Sequence, residues 1–285
     1  MNKIALITGA TSGIGKATAY ELAKIGFKLI LCGRRKTVLE EIEKDLANVT
    51  SAISLCFDVS VNSEVNMAIN NLPKDWINID VLINNAGNAH GMNLFQEGSI
   101  DDWDKMMDIN VKGLMYVTKS IINTMVTNST GHIINIGSLA GREVYPMGNV
   151  YCASKYAVKA LSQSLRMDLN KHNIKVSEIN PGLVETSFSD VRFKGDLKKA
   201  NSVYKGYKAL QAEDIAEIIS FVITRPYHVN VADLLVLPSA QASSTVINKN
   251  EKSTTDRTGT TNSFVQRTAI LLVSICTTRT VSHFE

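Results

Sequence analysis

The sequence is short of cysteine, lacks a long apolar run and carries no marked excess of either charge, and each shortage removes a class of protein. Its four cysteines, Cys32, Cys56, Cys152 and Cys276, are scattered, with no CxxC and no neighbouring histidine cluster. Such spacing supports neither a disulfide framework nor structural zinc, and it fits a reduced cytoplasmic enzyme. No stretch approaches the roughly 18 apolar residues of a membrane span, and the apolar start MNKIALI breaks at Thr8-Gly9, too early for a signal peptide. A net charge of +3 over 285 residues gives no case for nucleic acid. No internal repeat is visible, and no spacing of His, Cys, Asp or Glu suits a metal.

What the chain does have is alternation. With 45% hydrophobic residues it can fill one large core. Apolar runs at 3–8, 27–32, 53–57, 81–84, 132–136, 175–180 and 231–237 read as strands. Between them lie helical patterns: one from Ile14 to a stop at Gly26, one over 35–47, a long one capped by Ser99 and Asp102 and running toward Asn128, then 149–172 and 212–224. This order predicts an α/β fold, a Rossmann-type doubly wound parallel sheet of seven strands with helices on both faces, as a single domain over 1–248. Sheets of this kind bind ligands beyond the carboxyl ends of their strands, at the switch point. Residues 249–285 are rich in Ser and Thr and have no such alternation, so they are expected to be a disordered tail or a remnant foreign to the domain.

The first strand enters its helix through Thr8-Gly9-Ala10-Thr11-Ser12-Gly13-Ile14-Gly15. It is neither a literal GxGxxG nor a P-loop, since Ala stands at positions 10 and 17. Glycines here let the backbone approach a pyrophosphate, whose charge suits a helix N-terminus. A Gly-rich turn can be only a turn, but its place between first strand and first helix favours cofactor contacts at Gly9, Thr11, Ser12, Gly13, Ile14 and Gly15. The second strand ends in Cys32-Gly33-Arg34-Arg35, where an acid would hold the ribose 2′-OH of NAD. With no acid there and guanidiniums at Arg34 and Arg35, a 2′-phosphate and hence NADP is favoured. The alternative is that the two arginines merely open a surface helix.

The stretch 137–155 holds Ser138, Tyr151 and Lys155. Tyr and Lys four apart share a helix face, so an ammonium can sit beside a phenol. Making a base of a phenol whose ordinary pKa is about 10 takes roughly 4 kcal/mol of preference for the phenolate. The same spacing recurs at Tyr20/Lys24 and Tyr204/Lys208, which read as solvated surface pairs, so the spacing alone singles out nothing.

With TGATSGIG at 8–15, Asn84-Asn85-Ala86-Gly87, Asn110, Ser138, Tyr151-Cys152-Ala153-Ser154-Lys155 and Asn180-Pro181-Gly182 in that order, the chain resembles the short-chain dehydrogenase/reductase family over residues 3–248. NIGSLAGREVYPMGNVYCASK at 135–155, NPGLVETSFSDVRFKGD at 180–196 and HVNVADLLVLPSAQAS at 228–243 are similar to its NADP-dependent serine and 3-hydroxy acid dehydrogenases, some described as malonic semialdehyde reductases. The resemblance implies Tyr151 as general acid/base, Lys155 lowering its pKa and holding the nicotinamide ribose, Ser138 orienting the substrate oxygen and Asn110 holding a water. It implies Asp58 and Val59 at the adenine and Asn85, Ala86 and Gly87 along its ribose. Pro181, Gly182, Val184 and Thr186 would meet the nicotinamide end. Each also has a plain structural alternative: Asn110 bonding within its helix, Asp58 capping a strand end, Pro181-Gly182 forming a turn. A homotetramer, with the long helices after Asp101 and Asn149 at a two-fold interface, is also implied.

A small 3-hydroxy acid such as L-serine, L-allo-threonine or 3-hydroxypropionate, or the matching semialdehyde, needs a cation for its carboxylate. Arg142, Arg192 and Lys194 lie in segments expected to flank the nicotinamide. Arg192 or Arg142 is the candidate clamp, with Glu143 a partner for an amino group; the alternative is that VRFKGD only decorates a lid. Competing functions are a carbonyl or 3-oxoacyl reductase for other ketones and a catalytically silent NADP(H) sensor. A silent member is expected to lack Tyr151 or Lys155, and both are present.

Overall fold

A computed structural model describes residues 3–250. Of the expected tail at 249–285, residues 251–285 lie outside the described residues. Seven strands, β1 (Ile4–Thr8), β2 (Lys28–Gly33), β3 (Ala52–Cys56), β4 (Val81–Asn84), β5 (Gly131–Ile136), β6 (Ile174–Pro181) and β7 (Asp233–Val236), pair in parallel in the order β3-β2-β1-β4-β5-β6-β7. The expected doubly wound sheet is therefore present.

Strands β1, β4 and β5 are buried along their whole length, which is why they read as unbroken apolar runs rather than as alternation. Successive side chains still serve opposite faces. Ala5 and Ile7 of β1 meet α1 (Gly13–Lys24), α2 (Lys36–Leu46) and α9 (Ala212–Ile223) through Leu22, Leu39 and Ile219. Ile4 and Leu6 face α3 (Asn62–Asn70), α5 (Leu114–Thr127) and α6 (Asn149–Leu169) through Val65, Val117 and Leu169. Edge strands β3 and β7 are only partly buried.

The order reverses between β1 and β4, so the carboxyl ends of these strands, at Thr8 and Asn84, open the crevice in which such sheets bind ligands. Thr8 ties the two ends together: its hydroxyl donates to the Ile83 carbonyl (3.3 Å) and accepts from the Asn85 and Ala86 N–H groups (3.0 Å each).

The sheet's helical cover differs from expectation in two places. The single long helix expected from Ser99 toward Asn128 is α4 (Ile100–Met107), a π-helical turn at Asp108–Gly113, and α5. Ser99 does cap it, accepting from the Asp102 N–H. Within the wide turn the Asn110 side chain bonds the Asn88 backbone, accepting from its N–H and donating to its carbonyl. Short helices α7 (Phe188–Arg192) and α8 (Leu197–Ser202) follow β6, in a segment whose sequence carries too few turns for a helical period to show.

Candidate active site

A cleft of about 1130 Å³ opens at the switch point. On one side it is lined by Gly9, Thr11, Ser12, Gly13 and Ile14, by Arg34 and Arg35, and by Asp58 and Val59. Gly9 has φ +67°, and a Cβ there would lie 2.9 Å from Asn85 Nδ2, so the loop closes on Asn85 only as glycine. Asn85 Nδ2 donates to the carbonyl of Thr8 (2.9 Å). The Ser12 side chain makes no cap bond and no acid occupies the first turn of α1, leaving its amide donors for an anion.

Arg35 spans the loop, donating from Nη2 to Thr11 Oγ1 (2.6 Å) and Ser12 Oγ (3.0 Å). Arg34 pairs with Asp58 at 3.3 Å. Burial alone would raise the Asp58 carboxyl, but the Ser60 N–H and hydroxyl and the Arg34 cation outweigh it, and the net shift is downward. These donors and cations, with Asp58 as their paired acid, fit a dinucleotide that carries a 2′-phosphate besides its pyrophosphate.

The other side of the cleft is lined by Asn85, Ala86, Gly87, Ser138, Tyr151, Lys155, Pro181, Gly182, Val184 and Thr186. Ser138 follows β5, and its backbone N–H donates to Asn180 Oδ1 (3.0 Å). Tyr151 and Lys155 project from the buried face of α6. Lys155 Nζ donates to the Ile136 carbonyl (2.9 Å); burial draws its pKa down to about 8, against the opposing pull of Glu178. Burial pushes the Tyr151 phenol well up, Tyr145 adds to this, and the Ser138 hydroxyl and Arg192 pull it the other way.

Arg192, at the end of α7, lies 5.6 Å from the centre of the Tyr151 ring and 5.5 Å from that of Tyr145. It donates from Nη1 to the Tyr145 hydroxyl (3.0 Å) and from Nε to the Gly91 carbonyl (3.4 Å). Its Nη2 is buried and has no hydrogen-bond partner among the described residues.

Comparison with known proteins agrees with this layout. The sequence pattern of the short chain dehydrogenase family matches residues 3–196. This chain belongs to the short-chain dehydrogenase family. It is 46% identical over 242 residues to the NADP-dependent 3-hydroxy acid dehydrogenase of Schizosaccharomyces pombe, covering 84% of this chain and 93% of that one. Against the enzyme of the same description from Escherichia coli (strain K12) it is 42% identical over 240 residues, covering 84% and 96%. A closed form of serine dehydrogenase complexed with NADP+ superposes with a TM-score of 0.81 at 42% identity, over 84% of this chain and 96% of that one.

Not every residue singled out in this dehydrogenase's sequence faces the cleft. Gly15 lies behind it, where a Cβ would sit 2.3 Å from the Gly9 carbonyl oxygen. Asn110 is buried beneath it, with Nδ2 donating to the Asn88 carbonyl (2.8 Å) and Ser154 Oγ (3.0 Å). Arg142 and Glu143, expected as substrate contacts, turn away: Arg142 bonds Asp233, and Glu143 accepts the Ser244 N–H (2.8 Å). They follow a tight turn at Leu139–Gly141 that reverses the chain before it reaches α6. Lys194 pairs instead with Asp102 (2.8 Å).

Sequence reasoning missed Tyr145, Phe188 and His90, all of which line the cleft. Phe188 packs its ring 5.7 Å from that of Tyr151. No periodic signal marks these positions, because each stands on a loop or a one-turn helix. Among the described residues no group of three or more His, Cys, Asp or Glu could hold a metal, and no helix is long and apolar enough to cross a membrane.

Proposed function

We propose that this chain is an NADP-dependent oxidoreductase that oxidises the 3-hydroxyl of small 3-hydroxy acids, or reduces the matching semialdehyde, with Tyr151 as general acid/base. The observation that carries the substrate class is Arg192. A guanidinium lying over the Tyr151 ring, with a buried Nη2 that has no partner among the described residues, is suited to receive a carboxylate.

The amides of the α1 N-terminus and the Thr11 and Ser12 hydroxyls would hold the cofactor pyrophosphate, and Arg34 and Arg35 its 2′-phosphate. The cofactor, when bound, would supply the hydride donor or acceptor. Ser138 directs the substrate oxygen toward Tyr151, whose hydroxyl takes or returns the proton. In reduction the growing alkoxide is met by the Ser138 and Tyr151 hydroxyls together. Tyr145 and Phe188 wall the reacting centre against water. Asn110 holds the loop at Asn88 and so braces the floor of the site.

Spectrophotometric turnover of NADP+ with L-serine, L-allo-threonine and 3-hydroxypropionate, each against Tyr151→Phe, tests this reading. Arg192→Met should raise KM for the acids by about tenfold or more while leaving cofactor affinity unchanged. Turnover confined to uncharged or thioester ketones would replace the substrate proposal with a carbonyl reductase, and no turnover with any substrate would leave an NADP(H) sensor. A homotetramer in the cytoplasm is part of the same proposal, and light scattering on the purified protein checks the assembly.

A further inference from the structure

We propose that Arg142 and Asp233 form a strut that positions Ser138, with Asn180 as its central link. The strut leaves and re-enters the same short turn. Ser138 donates its backbone N–H to Asn180 Oδ1 (3.0 Å), and the fully buried Asn180 donates from Nδ2 to Asp233 Oδ1 (2.8 Å). That same carboxylate oxygen accepts from Arg142 Nη2. Arg142 closes the turn at Leu139–Gly141 that Ser138 caps, so the ring runs from the start of the turn, across β6 and β7, to its end. A second anchor fixes that end: the Tyr156 hydroxyl donates to the Arg142 carbonyl (2.6 Å).

The charge balance explains why a cation is needed. Glu178 and Asp233 are register partners on β6 and β7, so two carboxylates lie side by side beneath the turn. Glu178 is buried and its Oε1 has no hydrogen-bond partner among the described residues. Without Arg142 the two acids repel, and Asp233, on the edge strand, is free to swing toward water and release the Asn180 amide. The chain entering the turn runs close against this pair: a Cβ on Gly137 would clash with Asn180 Oδ1 and lie 2.7 Å from Glu178 Oε1. Arg142 is therefore a positioning residue acting through Asp233 and Asn180. Its catalytic consequence rests on the proposed role of Ser138 in orienting the substrate oxygen.

The test uses Arg142→Met, Arg142→Lys, Asp233→Asn and the Arg142→Met/Asp233→Asn double variant of the full chain. Steady-state kinetics are measured with 3-hydroxypropionate and with its methyl ester, and hydrogen–deuterium exchange is followed in the peptide spanning 137–145. Arg142→Met and Asp233→Asn should each speed exchange in that peptide and lower kcat about tenfold on both substrates, with KM within about twofold. The double variant should be no worse than the single ones, and Arg142→Lys should recover most of the loss. A KM increase for the acid that disappears with the ester would make Arg142 a substrate residue and overturn the strut. Exchange unchanged in every variant overturns it as well, whatever the kinetics. Faster exchange with unaltered kcat leaves the strut standing and refutes the role given to Ser138.

Discussion

Replacing Lys155 by Met should sharply reduce turnover and yet stabilise the cofactor-free protein near neutral pH. Burial lowers the Lys155 pKa from 10.5 to about 8. A lysine whose folded pKa is depressed opposes folding wherever both states are charged, which here means below about pH 8. The opposition fades as pH rises toward 10.5, because the unfolded chain then holds the proton that the folded one has lost. The difference between those two values corresponds to roughly 3 kcal/mol. Against it stands the hydrogen bond to the Ile136 carbonyl, whose loss leaves that oxygen unpaired at about 1–2 kcal/mol. Arg142 and Lys159 remain to face Glu178. The variant should therefore be more stable than the parent by about 1–2 kcal/mol at pH 7 and less stable by a similar amount near pH 10.5. Urea denaturation of both proteins at the two pH values measures this, and groups common to both cancel in the difference. Turnover should fall on the order of 10³-fold. A variant less stable by the same amount at both pH values would refute the idea that burial strains this lysine.

Acid should destabilise the domain through His132. It is buried on β5, its Nε2 pairs with Ser177 Oγ at 2.8 Å, and burial lowers its pKa from 6.5 to about 3. Stability from keeping it neutral is complete above pH 6.5 and is lost toward pH 3, with a slope of up to about 1.4 kcal/mol per pH unit that His132→Gln should remove from urea midpoints. Arg34→Ala should weaken 2′-phosphorylated NADP+ about tenfold and leave NAD+ almost unaffected in calorimetric titration. Arg35→Ala should weaken both, because Arg35 also holds the Thr11 and Ser12 hydroxyls. Gly137→Ala should cost about 2 kcal/mol or more in urea denaturation, since its Cβ meets side-chain atoms of the buried Asn180 and Glu178.

The parts of the molecule that could be read from sequence are those with a local physical signature. Strands buried on both faces show as apolar runs, and Ile133 and Ile134 of β5 serve opposite layers of the core without any polar alternation between them. The glycine loop is legible because Gly9 needs a positive φ at a fixed place between strand and helix. What could not be read depends on partners distant in sequence. Asn110, in the widened turn, supplies both a donor and an acceptor to Asn88, a partner 22 positions away. Arg142 and Arg192 have the same chemistry and lie equally plausibly along the chain, yet one meets Asp233 and the other Tyr145. Asp233 is 91 positions from Arg142, and only the pairing of β6 with β7 brings it there.

The charge balance around Tyr151 bears on the direction of the proposed reaction. Burial holds the proton on the phenol, and Lys155, itself drawn toward neutrality, leans on the Ile136 carbonyl. Arg192 is the protein cation that offsets this by lying over the ring. On the proposed reading it is also the group that receives the substrate carboxylate. A carboxylate seated there neutralises the guanidinium and withdraws its help from the phenolate, so an anionic substrate raises the affinity of Tyr151 for its proton. For oxidation this is a handicap, since the base must be free to accept. For reduction it is an advantage, since the acid must be loaded when the carbonyl arrives. On the proposed reading, Arg192 thus biases the site near neutral pH toward reducing the semialdehyde, and oxidation of the hydroxy acid is left to more alkaline conditions.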